Sequence, residues 1–412
     1  MLLYLNDMDE RADSLPEPAD TGMPARAAAT DSAIGPGGGT PRAGTSGRVD
    51  GAVQPPAAAL PGTTVQGPAL EAPSPSSNAV PKSALPPHAL PTGHLVRPVP
   101  AHARPAGEPL HPHVAAETGA DAALPPPVTV RRPVRQTLPI VVSSPHSGRH
   151  YPDDLLTRTG LDERTLRSSE DSFVDELFAA APELGAPLVA ATFPRVYVDA
   201  NREPYELDPA MFSDPLPDYV TTRNARIAAG LGTIARVVSN AVPVYAGKLA
   251  FEDAVHRIEG YWRPYHTALT EAIEETRSRF GYCILVDAHS MPSNVQTIGA
   301  DGRAYPVGDI VLGDCHGTSC SPVLTSRMER LLGHQGYRVR RNTPYAGGYV
   351  TRHYGRPDLG IHALQIEVKR GLYMDERKLE RTSGLQRLAA DMRRAIAGLA
   401  TFDPRRPLGD AD

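Results

Sequence analysis

The stretch Tyr282-Cys283-Ile284-Leu285-Val286-Asp287-Ala288-His289-Ser290-Met291-Pro292 decides the fold. Its four consecutive apolar residues, Cys283 to Val286, two of them β-branched, predict a short strand buried on both faces. An aspartate, a histidine and a serine follow, and Pro292 ends the run. Ligands bind at the carboxyl ends of strands in open α/β sheets. A carboxylate and an imidazole at that edge are better placed for chemistry than for packing.

A second segment repeats the pattern. Leu138 to Ser144 reads as a β-branched strand and runs into Pro145-His146-Ser147-Gly148, so it also delivers a histidine at its carboxyl end. Further strands are expected at 188–192, 193–202, 310–313, from 337, and at 362–368, with a hairpin through Asp301-Gly302. Helices are expected from Ser168 or Ser169 with Glu170 and Asp171 in the first turn, at 222–239, at 252–279 with a kink at Pro264, at 322–334 and at 375–399. Strands alternating with helices predict an α/β fold, a mainly parallel or mixed sheet with helices on both faces.

The chain has 412 residues, but more than half of its 43 prolines precede residue 136, and Tyr4 is the only aromatic residue before Tyr151. Such a segment cannot bury enough apolar area to offset roughly 1–2 kcal/mol of backbone entropy per residue. Residues 1–136 are therefore expected to be a disordered tail rich in proline, alanine and glycine, whose protein partners the sequence does not name. Residues 137–405 have the size of one catalytic domain. The net charge of −5 points to neither nucleic acid nor an anionic membrane as partner. No apolar run approaches the roughly 20 residues of a bilayer span, and the N-terminus lacks the basic start of a signal peptide. Three cysteines, an odd number in a long chain, suit the cytoplasm.

His146 and His289 can converge on one sheet edge with a carboxylate, Asp171 or Glu170. Two histidines and one carboxylate with a position left for water is the pattern of a catalytic zinc site. A buried imidazole bonded only to backbone is the more common fate of a histidine; position at strand ends is what favours ligation. Glu367 interrupts the strong strand Leu364-Gln365-Ile366-Glu367-Val368, where an unpaired carboxylate is costly. It either pairs with Lys369 or Arg370 or serves as a general base and acid. Arg195, Arg202 and Arg352 have the fork geometry that binds carboxylates. Cys315-His316 with Cys320 lacks the second cysteine pair of a structural zinc site.

Ser144-Pro145-His146-Ser147-Gly148, Glu170-Asp171-x-x-Val174-Asp175, Asp199-Ala200-Asn201-Arg202, Tyr261-Trp262-Arg263-Pro264-Tyr265-His266, Asp287-Ala288-His289-Ser290, the segment Gly347 to Gly355 and Leu364-Gln365-Ile366-Glu367 occur in this order. Together they resemble the N-formylglutamate amidohydrolase (N-formylglutamate deformylase) family over about 138–400. The resemblance implies a phosphorylase/hydrolase-like α/β fold, distantly similar to aspartoacylases and zinc carboxypeptidases. It implies one zinc ion per chain held by His146, His289 and an acid, taken as Asp171 ahead of Glu170 or Asp175. That acid lies some 25 residues after the first histidine, not a few as in carboxypeptidases. Glu367 would shuttle the proton, Arg195 would polarise the scissile carbonyl, and Asn201, Arg202 and Arg352 would hold the substrate. The implied reaction is zinc-dependent hydrolysis of N-formyl-L-glutamate, a small-molecule N-acyl amino acid, to formate and L-glutamate. A related zinc acylase or peptidase acting on another N-acyl amino acid or peptide is the nearest alternative. A non-catalytic binding module recruiting partners through the tail is the other.

Overall fold

The computed structural model describes residues 125–238, 241–299 and 301–404; the expected tail over 1–124 lies outside them. In chain order the strands are β1 (Val128–Arg131), β2 (Ile140–Ser144), β3 (Leu188–Ala191) and β4 (Cys283–Met291), then the hairpin β5 (Gln296–Ile298) and β6 (Ala304–Pro306). They are followed by β7 (Ile310–Gly313), β8 (Val339–Arg341), β9 (Ile361–Lys369) and the two-residue ribbon β10 (Met374–Asp375) with β11 (Glu380–Arg381). Seven strands form one sheet in the order β1-β3-β2-β4-β9-β7-β8. β3, β2, β4 and β9 are mutually parallel, whereas β1 pairs antiparallel with β3, and β7 pairs antiparallel with β9. The fold is therefore α/β with a mixed sheet.

The central strands are buried on both faces because helices cover both. Ile140, Val142, Ile284, Val286, Leu364, Ile366, Ile310 and Leu312 belong to one core, shared with residues of the helices Val174–Leu177, Pro322–His334 and Gly384–Leu399. Val141, Leu285 and Ala363 belong to the other, under the helix Arg263–Phe280 and the long excursion between β3 and β4. Burial of each Leu, Ile or Val side chain contributes about 1.5–3 kcal/mol.

Several elements depart from the sequence expectation. The ordered part begins earlier than residue 137: β1 adds an edge strand, Arg131 Nη2 donates to the Asp175 carbonyl at 3.0 Å, and Arg132 pairs with Glu275. Glu170 and Asp171 do not open a helix. The helix Glu163–Arg167, capped by Asp162, ends just before them, and Phe173 at φ 66° separates them from Val174–Leu177. The alternating stretch 193–202 is a loop, since the Asp199 amide bonds Thr233 O and the Asn201 amide bonds the Asp199 side chain instead of a neighbouring strand. The helix expected over 222–239 shrinks to Ala225–Ala228. The helix expected over 252–279 is Phe251–Arg257, a π-helical turn Ile258–Trp262, and Arg263–Phe280. Pro264 lies directly after the π-helical turn, so the break in regular α-helical bonding falls beside the proline. The closing helix starts at Gly384 because β10 and β11 occupy the residues before it.

Candidate active site

The sheet face under Arg263–Phe280 changes character along the strands. Paired residues of neighbouring strands share a face, so the register reads as rows. Val141, Leu285 and Ala363 form an apolar row; two residues on, Ser143, Asp287, Gln365 and Gly313 form a polar one. The next row is His289, Glu367 and Val311. The polar row supports the one above it. Ser143 Oγ donates to Asp287 Oδ1 (3.2 Å), Thr351 Oγ1 to Asp287 Oδ2 (3.1 Å), and Gln365 Nε2 to Glu367 Oε1 (3.0 Å). Gln365 is fixed in turn by the Gly348 amide, which donates to its Oε1 at 2.7 Å.

His146 follows β2, and Asp171 is tied to it through an amide bond to the His146 carbonyl at 3.0 Å. The imidazoles of His146 and His289 lie 4.8 Å apart between centroids. Both Nδ1 atoms face Asp171 Oδ2, at 3.4 Å from His146 and 2.9 Å from His289. Their Nε2 atoms point away to carboxylates: His146 to Asp199 Oδ1 at 2.7 Å, His289 to Asp287 Oδ1 at 3.2 Å. An ionised carboxylate only accepts, so the His146 proton lies on Nε2 and its Nδ1 presents a lone pair. That Nδ1 is buried and has no hydrogen-bond partner. Among the described residues His146, Asp171 and His289 form a buried group whose ligand atoms lie within 4.8 Å of one another. An orphaned imidazole nitrogen beside a carboxylate, with both outer nitrogens anchored by acids, fits a zinc-type cation. Glu170 and Asp175 are engaged elsewhere: Glu170 with Tyr151 at 2.6 Å, Asp175 with Arg149 at 3.6 Å.

Charge is arranged tightly here. Burial acts to raise the Asp171 carboxyl, but the facing imidazoles of His146 and His289 outweigh it and hold the group well below the usual range. Burial opposes charge on His289, yet Asp287 and Asp171 carry it well above the ordinary imidazole value. Burial pushes Glu367 up to about 7, with His289 pulling against it. Lys369 reaches Asp309 at 3.9 Å, and Arg370 donates to Asp171 Oδ1 (3.2 Å), Ser290 Oγ (3.1 Å) and Ser168 O (3.0 Å). Burial of Asp199 is outweighed by Arg195, His146 and Arg202, so it too stays well below the usual range.

The remaining expected residues are placed unevenly. Arg195 is paired with Asp199 Oδ2 at 2.7 Å, and its charge is stabilised by Asp199, Asp171 and Glu367. Asn201 stands against the site itself: Nδ2 is 3.1 Å from His289 Nε2, while Oδ1 accepts from the Val350 amide at 2.7 Å. Arg202 is buried and turns Nε to Leu231 O (3.0 Å) and Nη1 to Asn201 O (2.9 Å). Arg352, half-buried, donates through Nη1 to Gly347 O at 2.9 Å. Asp287, the carboxylate expected at the sheet edge, lies with Oδ1 3.2 Å from His289 Nε2. Asp199, which the sequence offers only as the first residue of Asp199-Ala200-Asn201-Arg202, buttresses His146, and that run was the available signal. Arg370 carried no such signal.

Acids, imidazoles and a guanidinium beside a carboxyl poised near neutrality suit the opening of a linear amide. The model of the family described as N-formylglutamate amidohydrolase matches residues 138–374, more than half of the chain, which belongs to this family. The chain is 34% identical over 243 residues to an N-formylglutamate deformylase of Pseudomonas putida, a match covering 58% of this chain and 83% of the relative. It is 33% identical over 245 residues to one of Pseudomonas aeruginosa, covering 59% and 84%. A crystal structure of N-formylglutamate amidohydrolase from Ralstonia eutropha JMP134 superposes with a TM-score of 0.62 at 40% identity, covering 66% of this chain and 97% of that one. Among the described residues no helix is long and apolar enough to cross a membrane.

Proposed function

We propose that this chain hydrolyses N-formyl-L-glutamate to formate and L-glutamate with one zinc ion held by His146, Asp171 and His289. The observation that carries the reading is the convergence of both Nδ1 atoms on Asp171 Oδ2 while each Nε2 faces a carboxylate. The relatives named above, both deformylases of N-formylglutamate, support the substrate. The catalytic domain would span about 137–405, with β1 added to its edge.

When bound, the ion supplies a Lewis acid that polarises a carbonyl and acidifies water toward a pKa of about 7. Glu367, with its carboxyl near 7, accepts the proton of the attacking water and returns it to the departing amine nitrogen. Arg195 faces the oxygen on which negative charge develops. Arg352 keeps guanidinium donors free beyond its bond to Gly347 O and would take a substrate carboxylate. Asn201 and Arg202 complete the substrate side, with the carbonyl of Asn201 fixed by Arg202. The free, buried thiols of Cys283, Cys315 and Cys320 support a place in the reducing cytoplasm.

The test is the full-length protein assayed on N-formyl-L-glutamate before and after chelation, then with zinc restored. Formate release that disappears with the metal and returns with it is expected. Full activity in metal-free protein would sink the zinc assignment, and inactivity of zinc-loaded protein would sink the substrate.

A further inference from the structure

The row that carries His289 and Glu367 does not end at Glu367. Its third member, Val311, is uncharged and fully buried, and directly opposed antiparallel residues hold their Cβ atoms about 4.5–5.5 Å apart. Val311 packs with Met291, Val295 and Val307 in a small cluster separate from both main cores. One partly buried residue, Tyr345, covers that cluster. The backbone places it there. A Cβ added to Gly313 would meet the Ala346 carbonyl at 2.7 Å and the Tyr345 carbonyl at 2.9 Å, so the 345–346 segment crosses β7 at Gly313, two residues from Val311 on the same face. The Cys315 amide locks the crossing with a 2.7 Å bond to Ala346 O. Burial, and after it the charge of Glu367, raise the Tyr345 hydroxyl, and Asp171, Arg195 and Arg370 also act on it. The ring therefore borders the reacting centre on the side of β7.

Resting on the proposed substrate, the geometry points to Tyr345 as the wall of the subsite that receives the acyl group, limiting that group to one no larger than formyl. N-formylglutamate carries two carboxylates on its amine side and none on its acyl side. Arg195 and Arg352 belong to segments 195–202 and 347–355, which meet where Asn201 receives the Val350 amide. The ring of Tyr345 rests on the side chains of Met291, Val295, Val307 and Val311. The charged end of the substrate faces Arg352 and the Asn201-Arg202 pair, and the hydrogen of the formyl carbon is left for the side of β7. A ring seated on a fully buried cluster cannot retreat, because Met291, Val295, Val307 and Val311 are each 4% exposed or less.

The experiment compares zinc-loaded full-length protein with Tyr345→Phe, Tyr345→Leu and Tyr345→Ala on N-formyl-, N-acetyl- and N-propionyl-L-glutamate. One or two methylene-sized groups of discrimination correspond to about 10–200-fold in kcat/KM. The ratio of kcat/KM for acetyl over formyl should rise roughly tenfold or more in Tyr345→Ala, less in Tyr345→Leu, and stay within about twofold in Tyr345→Phe. Zinc content and thermal midpoint, measured alongside, identify folded samples, and Tyr345→Leu carries the comparison if the alanine variant does not fold. An unchanged ratio in folded Leu and Ala variants overturns the inference while wild-type activity on the formyl substrate leaves the proposed function standing. Wild-type protein inactive on N-formyl-L-glutamate overturns both.

Discussion

The two faces of the sheet use the same strands to different ends. On the face under Pro322–His334 and Gly384–Leu399, Ile284, Val286 and Ala288 continue as apolar residues to within three positions of the end of β4. On the other face Leu285 is followed by Asp287 and His289. One strand thus anchors itself with its even-numbered residues and serves the chemistry with its odd-numbered ones. Every position of β2 and β4 is buried, so burial does not distinguish their faces; the polar row of Ser143, Asp287 and Gln365 does. A site built this way inherits the rigidity of the core beneath it without sharing its residues.

Substitutions on the two faces should therefore separate activity from stability. The largest effect is expected for His289→Ala, which removes a ligand atom: zinc content should fall from about one per chain to near zero and formate release with it, as elemental analysis would read. Retained stoichiometric zinc would remove His289 from the site. Glu367→Gln should keep its zinc and lower kcat about 10²–10⁴-fold, and near-normal turnover would dismiss it as the proton carrier. Asp199→Asn, which weakens the hold on His146 Nε2, should cost about 10–100-fold in zinc affinity by chelator competition. On the opposite face, Leu364→Ala should lower unfolding free energy by about 2–5 kcal/mol in denaturant titration and leave kcat of the folded enzyme nearly unchanged. A kcat loss matching that of Glu367→Gln would break the contrast between the faces.

The smallest effect concerns pH. Burial lowers His266 to about 3, while its ring bonds Ala200 O and Tyr354. An unfolded histidine binds a proton below about 6.5 whereas this one does not, so the unfolded state binds more protons and stability falls as pH drops from 6.5 toward 3. His266→Gln should flatten that fall by up to about 1.4 kcal/mol per pH unit. Identical slopes in chemical denaturation at pH 6 and pH 5 would refute it.

The strand framework was legible because β4 opens on four apolar residues in a row and β9 alternates apolar with polar residues from Leu364, and the helix Pro322–His334 has the bounds its periodicity implies. His146 and His289 were legible as site candidates because each follows such a run. What the periodicity misread lies in the excursion between β3 and β4. Val196, Val198 and Ala200 alternate like a strand, yet they pack into a core from a loop whose polar atoms are satisfied locally and by distant partners: Thr233 O, Asp199 itself, and Arg257 Nη1 on Tyr197 O. Glu170 and Asp171 looked like first-turn acids because helix N-termini favour them. The left-handed turn at Phe173 has no mark in composition. Arg370 and Tyr345 reach the site through tertiary geometry alone.

The π-helical turn at Ile258–Trp262 has a consequence for how that loop is measured out. Before it, Arg257 grips Tyr197 O; at its end Trp262 Nε1 donates to Arg202 O at 3.0 Å, and beyond it His266 Nε2 reaches Ala200 O at 2.8 Å. One continuous rod thus gauges the span that holds Asp199 and Asn201, and the wider turn sets the phase between its two grips. Removing a single residue from 258–262 would rotate one grip against the other by about 100°. The length of that helix is a dimension of the active site, although none of its residues supplies a ligand atom.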